Sequence, residues 1–181
     1  MLFAFARYAE GACAAIRAAG GTVSYVEQDG LCALFGLSSP LGRACDAALA
    51  ASIGIERSLA DINARLGEQW GARVEIVVSI HAGRAALGQV RQTGTIIAAG
   101  AASEVADEMR KLAAANGSAF AISEAVFTGA GDAPPQGALV IPCGTTRQSV
   151  CLLASAPARL AQDRRIHARR GLMTLSERIG G

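Results

Sequence analysis

From Leu2 to Ala19 the apolar residues Leu2, Phe3, Phe5, Ala6, Ala12, Cys13 and Ile16 recur at the spacing of one helical face, and Gly20-Gly21 supplies a stop. This pattern predicts a first helix. Two short runs follow, Thr22–Val26 and Leu31–Phe35, rich in β-branched, aromatic and apolar residues. Asp29-Gly30 lies between them, the pairing that best marks a tight hairpin. After a loop at Gly36–Pro40, Ala44, Ala47, Ala48, Ala51, Ile55, Leu59, Ile62 and Leu66 share one face of a long helix that Gly67–Gly71 is expected to end. Arg73–Ile80 alternates at first and then becomes continuously apolar, as a central strand does. With Arg84–Arg91 it reads as a second hairpin, closed near Gly83.

Beyond it, Thr95–Ala99 predicts a strand, Ala102–Ala115 a helix closed by Asn116-Gly117, and Ala119–Ser123 a strand with a helical turn at Glu124–Phe127. Gly129–Pro135 is a loop, and Gly137–Ile141 and Ser149–Leu153 are a last strand pair. The class that follows is α+β, a mostly antiparallel sheet with helices on one face.

The chain has 181 residues, 51% hydrophobic and 18% charged, enough for one well-formed core. Its 17 basic and 15 acidic residues leave a net charge of +2, too even to announce a nucleic-acid partner. Arg159, Arg164, Arg165, Arg169, Arg170 and Arg178 nevertheless crowd the end, which divides the chain into a domain over 1–154 and an arginine-rich tail over 155–181. Such a tail could meet phosphates or an acidic partner, but it lacks interleaved aromatics, and a solvated terminus is the simpler reading. The odd set Cys13, Cys32, Cys45, Cys143 and Cys151 has no Cys-x-x-Cys pair and reads as buried thiols in a reduced, cytoplasmic setting. No apolar run has the length of a membrane helix, and Met1–Ala6 is broken at Arg7 and does not read as a signal peptide.

Three segments carry a family resemblance. Gly20-Gly21-Thr22-Val23 with Gln28-Asp29-Gly30 and Phe35-Gly36, then Ser79-Ile80-His81-Ala82-Gly83 with Gly88, then Gly100 through Leu112, are similar in order and spacing to class III adenylate and guanylate cyclases. Over residues 8 to 153, the resemblance implies a ferredoxin-like core sheet and active sites built across a head-to-tail homodimer. The implied chemistry is attack of a ribose hydroxyl on the α-phosphate of ATP or GTP, with Mg²⁺ or Mn²⁺ held by two aspartates. No organic cofactor is implied. Asp29 matches one metal aspartate. The other belongs to a strand ahead of the first helix, which the chain is expected to lack, leaving a sheet position open.

Elsewhere the family pattern is not met. Tyr25 stands at the base-selecting position, Ala101 at an aspartate, Glu104 at the asparagine that orients ribose, and Glu108 at the arginine that stabilises the transition state. Two carboxylates repel a triphosphate that an arginine would attract. The resemblance thus implies a cyclase homology domain of impaired catalysis. The alternatives are a regulatory or dimerisation module paired with an intact cyclase, and a nucleic-acid-associated protein acting through its tail. On an exposed helix Glu104 and Glu108 read as a solvated face rather than a new metal site. His81 reads as a packed or hydrogen-bonded histidine, His167 as a surface residue, Trp70 as packing against the sheet, and Gly83/Gly88 as a hairpin constriction rather than a phosphate loop.

Overall fold

The computed structural model describes residues 2–27, 30–70, 73–143 and 146–157. The elements, in chain order, are α1 (Leu2–Ala18), β1 (Thr22–Glu27), β2 (Gly30–Leu34), α2 (Leu41–Trp70), β3 (Val78–Ile80), β4 (Ala86–Gln89), β5 (Ile96–Ala99), α3 (Ala101–Ala115), β6 (Phe120–Ser123), α4 (Glu124–Ala130), β7 (Leu139–Cys143) and β8 (Thr146–Leu153).

The local stop signals act as read. α1 closes with Gly20 at φ +85°, its N–H bonded to Arg17 O and that of Gly21 to Ile16 O. α3 closes the same way at Gly117, φ +64°, with Ser118 N–H on Ala113 O. Both ends put a glycine in the left-handed conformation that side-chain-bearing residues resist. α2, by contrast, runs through Gly67, which costs a helix only about 1 kcal/mol.

β1 and β2 form the expected antiparallel hairpin, with an irregularity between Val23 and Tyr25. Its turn residues Gln28 and Asp29 lie outside the described residues. A four-stranded sheet runs in the order β3-β6-β8-β7, parallel between β3 and β6 and antiparallel elsewhere, and β4 pairs antiparallel with β5. Most pairings are antiparallel, as the sequence suggested.

Two expectations need correction here. Residues 84–91 do not pair with 73–80: β4 turns back onto β5 through Arg91–Gly94, where Gly94 sits at φ +69° and Val90 N–H reaches Thr95 O. β3 goes instead to β6, because its apolar residues have cover on both faces there. The strand is also shorter than the apolar run. It starts at Val78, since both backbone groups of Val74 are taken by the Asn63 side chain of α2, Nδ2 donating to Val74 O at 2.9 Å and Oδ1 accepting from Val74 N–H at 2.8 Å.

The core straddles β6. Phe120 and Ile122 face Cys45, Leu49 and Ile53 of α2 and Val126 and Phe127 of α4. Ala121, one residue out of phase, faces Val105, Met109 and Ala113 of α3 together with Val150 of β8. Helices on a single face describe α2 and α4, whereas α3 covers the opposite face, where Ala121 packs against Val105, Met109 and Ala113. A third cluster joins Ala12 and Ile16 of α1 to Ala51 and Ile55 of α2, beneath Leu31 and Ala33 of β2 and Ile76 and Val78. β2 and β3 thus border one cluster while each is the outer strand of its own sheet.

Candidate functional site

Of the candidate residues read from the sequence, the described ones Tyr25, Ala101, Glu104 and Glu108 lie on β1 and α3. Burial of Val105, Met109 and Ala113 orients α3 so that Glu104 and Glu108, one turn apart, are exposed. Glu108 accepts from Lys111 Nζ at 2.8 Å, and Asp107 pairs with both Lys111 (2.9 Å) and Arg110 (2.9 Å). Hydrogen bonds from Lys111 and Arg110 hold the Asp107 carboxyl below its usual range, and Glu108 and Asp107 together raise Lys111. These exposed pairs contribute little stability, but they engage Glu108 and Asp107 with cations. The solvated-helix-face reading therefore describes α3.

Tyr25 lies on β1, 47% exposed, opposite Cys32 of β2. Burial first, then the Cys32 thiol in charge and hydrogen bond, push the Tyr25 hydroxyl above its usual range, and the charges of Glu27 and Asp107 add to this. β1 is held against β5 by Ser24, a buried hydroxyl donating to Ile96 O at 2.6 Å.

Among the described residues no group of three His, Cys, Asp or Glu side chains could hold a metal ion. On α3, Glu108 and Asp107 are paired with Lys111 and Arg110. Asp29, the metal residue read from the sequence, is outside the described residues, as are Gly144, Thr145, residues 158–181 with His167, and the side chains of Trp70 and Cys143. Cys45 and Cys151 are buried and Cys13 and Cys32 half-buried, all four free. Burial raises the thiols of Cys32, Cys45 and Cys151, which favours their protonated form.

The sequence reading missed several residues. Lys111 and Arg110 sit at i+4 and i+3 from Asp107, a spacing that signals their pairing. The bond between His81 Nδ1 and Ser123 Oγ, 3.0 Å long and 42 residues apart, has no local signal. An open groove of about 460 Å³, lined by Leu41, Glu124, Thr128, Arg147, Gln148 and Ser149, includes none of the residues singled out from the sequence. No helix among the described residues is long and apolar enough to cross a membrane.

With a hairpin ahead of the long helix, a strand over Val78–Ile80 and a charged helix leading into the buried β6, this α+β domain has the fold of solved nucleotide cyclase structures. The guanylyl cyclase Cya2 is similar in structure, with a TM-score of 0.71 and 17% identity over 86% of this chain and 80% of that one. Two structures of a bacterial light-regulated adenylyl cyclase are also similar, with TM-scores of 0.58 and 0.60 and identities of 17% and 18%. The chain spans about half the length of these two, 48% and 45%. No protein-family model and no curated protein matches the chain.

Proposed function

We propose that this chain is a nucleotide cyclase homology domain, of the kind that serves cyclic nucleotide signalling, in which catalysis is impaired. The observation that carries the reading is the outer face of α3. Where the resemblance asks for an asparagine and an arginine, Glu104 and Glu108 stand exposed, and Ala101 replaces an aspartate. A developing negative charge on a triphosphate would there meet carboxylates instead of a guanidinium. ATP or GTP with Mg²⁺ or Mn²⁺ at Asp29 is the ligand set the resemblance suggests, and binding is weak for the same reason.

A second reading, a module that dimerises with itself or with an intact cyclase, is favoured by exposed apolar side chains. Tyr25 and Val26 on β1, Leu87 on β4 and Ile97 on β5 are 44–57% exposed. Covering these side chains with a partner would remove apolar surface from water.

The test is the affinity for non-hydrolysable ATP and GTP analogues in Mn²⁺, compared between the wild type and Glu104→Asn/Glu108→Arg. The double change adds three units of positive charge. At about 10 Å from a metal-bound triphosphate in physiological salt this is worth roughly 1 kcal/mol, or about fivefold tighter binding. Wild-type binding that is already tight and unmoved by the double change would refute the reading.

A further inference from the structure

We infer that the open edges of β2 and β3 form one docking slot for an extended segment of a partner polypeptide, apolar at alternate positions, that pairs with both strands at once. β1 takes the β5 side of its hairpin through the bond from Ser24 to Ile96 O. β2, on the other side, packs Leu31 and Ala33 into the cluster that also holds Ile76 and Val78. Both strands rest there on Ile16 of α1 and Ile55 of α2, yet no pairing joins them, and each ends its own sheet.

The free groups on β3 follow from its ladder. Val78 N–H donates to Ala119 O at 2.8 Å, and in a parallel pair a residue that bonds its neighbour through N–H turns its C=O the same way. The alternate residues Val77 and Ser79 therefore hold N–H and C=O toward the open edge, with no backbone partner among the described residues. Both are half-buried, as is every residue of β2. β4 also ends a sheet, but it is exposed at every residue and its edge can bond water. Half-buried backbone groups are hydrated incompletely, so leaving them unpaired costs free energy that an added strand offsets.

An extended chain meets these demands and a helix does not. A strand offers N–H and C=O to both sides, whereas a helix uses its own internally. Its side chains alternate between faces, so the set turned toward the α1–α2 cluster must be apolar. A second copy has no strand to spare among the described residues, because β1 to β8 are already paired in sheets of their own. The pairing does not depend on whether the chain binds nucleotide.

Residue-resolved amide exchange of the full chain tests the slot first without a partner. Ser79 is expected to exchange at least about tenfold faster than Val78, whose N–H is bonded to Ala119 O. Equal protection of the two would mean a closed edge and would overturn the proposal. The probe is then an end-capped peptide of alternating valine and threonine with lysine at each end. At about ten times its Kd it is expected to slow Ser79 and amides within residues 31–34 together, by about tenfold, and to leave β4 unchanged. The same peptide N-methylated throughout, which cannot donate to either edge, is expected to have no effect. Failure to bind at about 1 mM, slowing on one strand only, equal slowing of β4, or an equal effect of the N-methylated peptide would each refute the slot.

Discussion

Replacing Asn63 with alanine should destabilise the protein through one identifiable contact. Asn63 sits on α2 and stands in for a neighbouring strand, donating to Val74 O at 2.9 Å and accepting from Val74 N–H at 2.8 Å. Each bond is worth about 1 kcal/mol net, and both are partly buried, so water replaces them incompletely. Alanine is the better helix former by roughly 0.5 kcal/mol, which offsets part of the loss. The expected net cost is about 1.5–2 kcal/mol, or a Tm lower by about 3–8 °C for a chain of this size. Urea denaturation should show a lower midpoint with an unchanged slope. Arg65→Ala, two residues on and exposed, is the control and should stay within about 0.5 kcal/mol. If Asn63→Ala behaves like Arg65→Ala, the clamp does not set where β3 begins.

Two further substitutions probe the packing on either side of β6. Met109→Ala, at a side chain with no exposure in the cluster under α3, should cost about 2–5 kcal/mol by thermal or chemical unfolding, and a cost below 1 kcal/mol would contradict the placement of α3 on that face. Gly129→Ala places a Cβ 2.7 Å from the buried Cys45 Sγ and should cost about 1–3 kcal/mol; adding Cys45→Ala should recover part of that loss, and simple additivity of the two would argue against the contact.

Much of the architecture was legible because its signals are local. The glycines after α1 and α3, the β1–β2 hairpin and the period of α2 each lie within a few residues of what they determine. The partner of β3 was not legible in this way. Parallel pairing with β6, 40 residues on, is decided by which faces of Val78 and Ile80 find cover, and no turn residue marks it. The same distance hid Ser123 from His81. On α3 the reading of Glu104 and Glu108 as a solvated face needed only their helical spacing, whereas the buried stripe of Val105 and Met109 came with the structure. That Lys111 engages Glu108 could have been read from their i, i+3 spacing. Tyr25 was assigned by resemblance, and the placing of β1 beside β5, fixed by the bond from Ser24 to Ile96 O, came only with the structure.

We propose a nucleotide cyclase homology domain of impaired catalysis. It is tested most directly by measuring cyclic AMP and cyclic GMP formed by the purified chain from ATP and GTP, with Mn²⁺ and with Mg²⁺, beside Asp29→Ala. The account predicts no product above the Asp29→Ala background under any of these conditions. Sustained turnover that disappears with Asp29→Ala would contradict it and would mean that other residues fill the roles lost at Glu104 and Glu108.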